Sequence, residues 1–307
     1  MSSEGEINPE EILHDALHTL YDYQPITLTS FGTLFSYDCK LLPNDSNLQK
    51  SRVVLHTPDT HPSNWSLHAS SIWASSQYVA DHIDELGLDS YLAKDASGHS
   101  KSIDQVRVLE LGAGAGLPGI VIAKTYPDIF VTCSDYPDEQ LIETLTKNIA
   151  TNEVSRNCRA KAYAWGSDPK DLLSTEVING SQDSTKSGFD VIVAADTLWN
   201  PDLHGIFIDS LKMNLRLTAD ARIHLIAGLH TGRYTLQKFL ENVSQSGLEI
   251  ESIVERETMG NVKRPWDVSW AEKEDEKDRR RWVVWTILKW SSQHLDQKNT
   301  VRISLSA

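Results

Sequence analysis

The sequence predicts an α/β fold: a seven-stranded, mostly parallel sheet with an antiparallel last strand, preceded by an N-terminal β extension. Three observations carry that reading. A short apolar run, Val108-Leu109-Glu110-Leu111, breaks into Gly112, Gly114, Gly116 and Gly119, the form of a buried strand turning into a loop that keeps Cβ atoms away from a bulky ligand. Further apolar runs follow at intervals filled by helical patterns, and two of them end in an acid, Asp135 and Asp196. The last run, Trp282 to Trp290, has no helical pattern before it, so it returns antiparallel to its predecessor as a hairpin.

The elements follow in order. Residues 1 to 24 hold a helical pattern from Pro9 to Leu20, read as a docking helix. Alternation in Ile26-Thr27-Leu28-Thr29 and Leu34-Phe35-Ser36-Tyr37 about Gly32, then in Val53-Val54-Leu55, predicts short strands that extend the main sheet. Ser70 to Ala80 opens a helix, since serine caps free amides and apolar residues 72, 79, 83 and 86 recur at helical spacing. Trp73 falls in its first turn and, taken alone, reads as packing.

Pro118 suits the start of the helix Pro118 to Thr125, which leads to the strand Ile129 to Asp135 and completes a βαβ unit. Ligands of parallel sheets lie at the carboxyl ends of strands, where Gly112 to Gly116 and Asp135 would meet. Asp135 there accepts both hydroxyls of a ribose, or it is a plain turn acid before Tyr136-Pro137. A helix from Asp138 to Ala150, a strand near Ala160 to Gly166 and a polar loop from Ser167 to Gly188 come next. The strand Phe189 to Asp196 carries Thr197-Leu198-Trp199-Asn200 to the same crevice. After it come a helix around Leu203 to Leu215, a strand from Ala221 to Ala227, a helix from Tyr234 to Ser246 stopped by Gly247, an alternating strand from Leu248 to Val254 and a solvated charged loop from Glu272 to Arg281.

Bulk properties narrow the function. The chain has 307 residues, 40% of them hydrophobic, room for one large domain or two small ones. The divisions are an N-terminal helix and β extension at 1–67, a main domain at 68–292 and a tail at 293–307. No apolar run spans a bilayer, and the acidic start Met1 to Glu6 is no signal segment. Cys39, Cys133 and Cys158 lie far apart without metal or disulfide spacing, in keeping with a reducing compartment. The scattered histidines, such as His56 and His61 or His224 and His230, lack ligand spacing, so no metal is expected. With 43 acidic against 29 basic residues the net charge is -14, which argues against nucleic acid and suits a cationic or neutral substrate.

The glycine loop reads in two frames. Gly114, Gly116 and Gly119 match the G-x-G-x-x-G of dinucleotide sites, with Asp135 about 20 residues on. The frame Glu110-x-Gly112-x-Gly114-x-Gly116 instead resembles motif I of the class I S-adenosylmethionine-dependent methyltransferases, and the seven-strand count with its hairpin return favours it over an NAD-dependent enzyme. More narrowly, Trp73-Ala74-Ser75, Leu109 to Pro118, Ser134-Asp135-Tyr136-Pro137, Trp165-Gly166 and Ala194 to Asn200 together resemble the methyltransferase-like 21 group, with its fungal nicotinamide N-methyltransferase-like and elongation factor methyltransferase-like members.

The resemblance covers about residues 68 to 292 and implies a Rossmann-like fold, S-adenosyl-L-methionine as cofactor and a cytoplasmic, possibly also nuclear, location. It assigns the cofactor's methionine end to Gly112, Ala113 and Gly114, its ribose to Asp135 and its adenine to the neighbourhood of Trp165. Trp73 and Ala195 make further contacts, and Glu110 and Tyr136 complete the cofactor-binding set. Two departures leave the acceptor open: Ala74-Ser75 follows Trp73 where the group has Asp or Asn and then Ala, and Thr197-Leu198-Trp199-Asn200 differs from many relatives.

Methyl transfer from a sulfonium is an in-line displacement that needs an unprotonated acceptor nitrogen held in a site without water. A lysine, with a pKa of about 10.4 in water, must first lose a proton. Asp196 aligns the amine as a catalytic group or is a structural hydrogen-bonding acid, Trp199 and Asn200 build an acceptor wall, and His230 or Arg233 lines the rim. Three functions fit: a protein N-methyltransferase acting on a lysine or N-terminal amine, a nicotinamide-like small-molecule N-methyltransferase, or a cofactor-binding regulatory subunit of a protein complex.

Overall fold

The computed structural model describes residues 25–40, 51–59, 62–92, 105–174 and 187–297. The predicted helix within residues 1–24 and most of the polar loop between Ser167 and Gly188 lie outside the described residues. Strands β1 (Leu34–Asp38) and β2 (Arg52–His56) pair antiparallel as a separate hairpin. The main sheet holds β3 (Arg107–Leu111), β4 (Phe130–Asp135), β5 (Cys158–Ala162), β6 (Val191–Ala195), β7 (Arg222–Gly228), β8 (Leu248–Glu257), β9 (Lys263–Pro265) and β10 (Trp282–Trp290), in the order β5-β4-β3-β6-β7-β10-β8-β9.

From β5 across to β7 the strands run parallel, and β10 lies antiparallel between β7 and β8. The chain winds outward from β3 through β4 to β5 on one side and through β6 to β7 on the other. This reversal opens a crevice beyond the carboxyl ends of β3 and β6, where open α/β sheets take their ligands.

Both faces of the sheet are covered, so central strands are apolar throughout rather than alternating. All five residues of β3 are buried; Val108 packs into one core layer, and Leu109 and Leu111 pack into the other. The first layer holds α1 (Ala74–Asp81), α2 (Leu117–Thr125) and α3 (Glu139–Thr151), and the second holds α4 (His204–Asn214) and α5 (Arg233–Ser244). Helix α3 starts where the Asp138 carboxylate accepts from Leu141 N at 3.0 Å, and its other oxygen accepts from Asn64 at 2.7 Å, which fastens the 62–67 turn beside the crevice.

The N-terminal hairpin does not extend the main sheet; it sits on α3. Asn148 and Asn152 each pair both amide groups with one residue of β2, His56 and Val54 respectively, at 2.7–2.9 Å. Residues i and i+4 of a helix are about 6 Å apart along its axis and alternate strand residues about 6.6 Å apart, so two side-chain amides can read a strand edge as a neighbouring strand would. Nothing in a hydrophobic pattern announces such polar pairing, which is why the pattern placed the hairpin on the sheet.

Other boundaries move for local reasons. Ile26 to Thr29 forms only an isolated bridge, Thr27 to Trp73. The helix predicted from Ser70 starts at Ala74 and ends at Asp81, because Trp73 is extended at its N-cap, and Ile83–Leu86 is a separate tight turn. Strand β5 ends at Ala162, which frees Tyr163 to Gly166 to cross toward the crevice. The main sheet has eight strands rather than seven: Lys-Arg-Pro, with no apolar alternation, forms β9 on the edge of β8. The last strand is antiparallel to its predecessor as expected, yet it also inserts against β7. The loop predicted as solvated, Glu272 to Arg281, carries the helix Glu276–Arg280 and sinks Glu274 into contact with the buried Arg233.

Candidate active site

The crevice begins at the end of β3. Gly112, Gly114 and Gly116 take φ of +70°, +53° and +86°, backbone that favours glycine. A Cβ at Gly112 would stand 2.9 Å from Thr197 Cγ2 and 3.6 Å from Trp165 Cζ2, both residues of the cleft wall. One at Gly119 would stand 2.3 Å from Cys133 Sγ, so this glycine lets α2 lie against β4. The loop thereby brings its backbone to the cleft floor with no side chain larger than the methyl of Ala113.

Asp135 at the end of β4 closes that floor. Its Oδ2 accepts from Gly114 N and its Oδ1 from Tyr136 N, both at 2.7 Å. Burial pushes its carboxyl up from 3.8 to about 6, against the pull of those two amides. Tyr136, Trp165 and Ala195 join it in the cleft wall. Trp165 leans on Phe207 of α4 with ring centres 4.6 Å apart, and Gly166 N donates to Ser210 of that helix at 2.7 Å, which steadies the crossing segment.

Glu110, expected in the cofactor set, does not line the cleft. Its side chain lies under α2, where Oε2 accepts from Gly119 N at 3.0 Å, and burial pushes its carboxyl from 4.5 up to about 8. Alternation explains this: Leu109 and Leu111 point to the other layer, so Glu110 shares the side of Val108 and fastens the helix start to the strand. A carboxyl raised in the folded state contributes stability that is full below pH 4.5 and is lost as pH rises through about 8. Glu110→Gln keeps an oxygen for Gly119 N and carries no charge. Thermal melts from pH 5 to 9 are expected to show wild-type stability falling relative to the variant across that range; parallel curves would refute the assignment.

The mouth of the cleft is aromatic. Trp73 Nε1 donates to the carbonyl of His68 at 3.0 Å. The His68 ring stands edge-on to Trp73 (6.1 Å, 86°) and to Trp199 (4.9 Å, 86°), while Trp73 lies nearly parallel to His230 (5.5 Å, 14°). Beneath these rings is Asp196, whose Oδ1 accepts from Gly228 N at 2.7 Å and whose Oδ2 accepts from Ser75 Oγ. His230 Nε2 is 4.0 Å from Oδ1. Among the described residues His68, Glu153 and Asp196 are the non-glycine residues with positive φ. Two of those three line this cleft, a placement of backbone strain common at functional sites.

Trp73, Gly112, Ala113, Gly114, Asp135 and Tyr136, predicted from sequence, therefore come together, and Trp165, Ala195, Asp196 and Trp199 join them. Asn200 is not in the wall; its side chain caps the following turn by accepting from Asp202 N at 3.0 Å. Arg233 leaves the rim altogether: it is buried against Glu255 and Glu274, with its guanidinium 5.2 Å over Trp266. Sequence reasoning missed His68 and Ser75. Ser75 had a signal, a small polar residue beside Trp73 at a helix start; His68 had none, because its position depends on a left-handed turn.

The sequence is similar to several known proteins. A protein-family model described as lysine methyltransferase matches residues 63–246. Over 218 residues the chain is 31% identical to the protein N-terminal and lysine N-methyltransferase efm7 of Schizosaccharomyces pombe, covering 70% of this chain and 75% of that protein. It is 27% identical over 214 residues to the Gibberella zeae protein of the same description, covering 66% and 73%. Among solved structures, a precorrin-6y C5,15-methyltransferase from Geobacter metallireducens superposes with a TM-score of 0.39 at 14% identity, covering 66% of this chain and 95% of that one.

Proposed function

Because the chain belongs to the lysine methyltransferase family and is an S-adenosylmethionine-dependent methyltransferase, we propose that it methylates a lysine or an N-terminal amine of a protein. The observation that carries this reading is the two-ended build of the cleft. One end is a glycine cradle beside a carboxylate, and the other is a ring-lined mouth over a second carboxylate. Such a mouth attracts a protonated aliphatic amine through the ring faces and through Asp196. A neutral pyridine nitrogen gains little from either.

The residues present fit S-adenosylmethionine. A Cβ at Gly112 would fill the cradle between Thr197 and Trp165. Each oxygen of Asp135 accepts one amide and keeps a lone pair for a ribose hydroxyl. In this reading Gly112, Ala113 and Gly114 hold the methionine end, Asp135 the ribose, Trp165 and Tyr136 flank the adenine, and Trp73 and Ala195 face the reacting end. The bound cofactor supplies a methyl group on a cationic sulfur. The chain supplies orientation, the exclusion of water by Trp73 and Trp199, and a carboxylate at Asp196 that draws the amine inward.

The net charge of -14 suits a basic substrate segment. No described helix is long and apolar enough to cross a membrane, and a protein substrate of this kind is met in the cytoplasm or nucleus. Residues 68–292 are taken as the catalytic unit, with 1–67 and 293–307 flanking it.

The test is transfer of labelled methyl from S-adenosylmethionine into a matched cell extract split into protein and small-molecule fractions. Label is expected in a discrete protein band. Label confined to small molecules would overturn this reading in favour of a nicotinamide-like enzyme. No label in either, with S-adenosylhomocysteine still bound by calorimetry, would overturn it in favour of a cofactor-binding regulatory subunit.

A further inference from the structure

We propose that His230 is a catalytic residue, the group that takes the proton from the acceptor amine; this rests on the protein-amine reading above. The turn Leu229–Thr231 follows β7 directly, so His230 is placed by the same strand whose Gly228 amide holds Asp196. Its Nε2 lies 4.0 Å from Asp196 Oδ1 and its ring is nearly parallel to Trp73, so His230 is not itself in the cleft wall but stands against two residues that are. Two acceptors at that separation can share one nitrogen: hydrogen bonds of about 2.8 Å to each meet at an angle of about 90° at the amine. The imidazole side chain is partly open, at 17% exposure, which leaves the proton a path to water.

Asp196 cannot do this work as well. It is 8% exposed and both its oxygens already accept from neighbours that hold three elements in place. It can attract the ammonium, and the imidazole beside it can remove the proton. The α-amine of a chain, with a pKa of about 7.7–8.0, gives up its proton more readily than a lysine, which must first lose basicity by desolvation between the rings.

The step balances. The ammonium R-NH3⁺ gives one proton to His230 Nε2 and becomes R-NH2. The nitrogen lone pair then forms the N–C bond to the methyl group while the C–S bond breaks and its electron pair stays on sulfur, leaving a neutral thioether. The imidazolium passes its proton to water, and the methylated amine leaves.

The experiment compares wild type with His230→Asn, which fills the same space beside Trp73 but takes no proton, on a lysine-containing peptide with a free amino terminus. Expected is a fall in kcat of about 10²- to 10⁴-fold, with calorimetric affinities for S-adenosylhomocysteine and for the peptide within two-fold of wild type. His230→Ala is expected to regain turnover on addition of imidazole, more with more basic substituted imidazoles, which a packing role would not produce. Unchanged turnover in His230→Asn overturns the proposal, and so does a loss that tracks lost S-adenosylhomocysteine affinity or one that no added imidazole relieves in His230→Ala. If wild type itself labels neither protein nor peptide, the protein-amine reading has failed instead.

Discussion

Asp135→Ala is expected to weaken S-adenosylhomocysteine binding by about 10²- to 10⁴-fold. A hydrogen bond to a charged group contributes about 1.5–3 kcal/mol, two ribose hydroxyls meet one carboxylate, and each 1.4 kcal/mol is a factor of ten. The variant also strips the Gly114 amide of its partner, which loosens the cradle at the methionine end. Asp135→Asn keeps one acceptor oxygen and is expected to fall between. Titration calorimetry at pH 7.5 measures both, and an affinity for Asp135→Ala within three-fold of wild type would remove Asp135 from the site.

The same residue gives a pH signature. Because burial raises its carboxyl to about 6, wild type enters the protonated form as pH falls through that value. A protonated carboxyl offers the ribose a poorer pair of acceptors. Affinity is therefore expected to decline between pH 7 and pH 5 in wild type, while Asp135→Ala, with nothing to titrate there, stays flat across that window. The ligand favours the ionised form, so the midpoint in the complex lies lower than in the free protein.

Much of this geometry was legible in the sequence because it rests on covalent neighbours. The glycines after β3 and the acid ending β4 lie on consecutive parallel strands, and parallel winding forces those strand ends together. Asp196 and Trp199 were legible for the same reason, as the continuation of β6. What was not legible depends on side chains meeting across the fold. Glu110 was misplaced because a motif fixes position along the chain but not the face of the strand. Asn148 and Asn152 seat the N-terminal hairpin through amide pairing, for which hydrophobic periodicity carries no signal. Arg233 was expected at the rim because it follows the fifth strand, yet it begins a helix and turns inward to Glu255 and Glu274.

Asp196→Asn separates the two roles that a carboxylate at the end of β6 can play. Structurally the change is mild: the amide oxygen can still accept from Gly228 N, and the amide nitrogen can donate to Ser75 Oγ, a hydroxyl that both donates and accepts. Stability is expected to fall by no more than about 1 kcal/mol. The negative charge under the ring-lined mouth is gone, however, and with it the attraction for a cationic amine. Turnover on a protein acceptor is expected to drop by about 10²-fold or more, a loss of about 2.7 kcal/mol or more in transition-state stabilisation, while S-adenosylhomocysteine affinity is retained. Asp196→Ala differs, because it leaves the Gly228 amide and the Ser75 hydroxyl unpaired inside the protein, at about 1–3 kcal/mol for each, so its melting temperature is expected to fall along with activity. Kinetics and thermal melts on the two variants together decide the matter. If Asp196→Asn turns over like wild type, the carboxylate is a staple joining α1, β6 and β7, and the cation must be drawn in by the rings of His68, Trp73 and Trp199 alone.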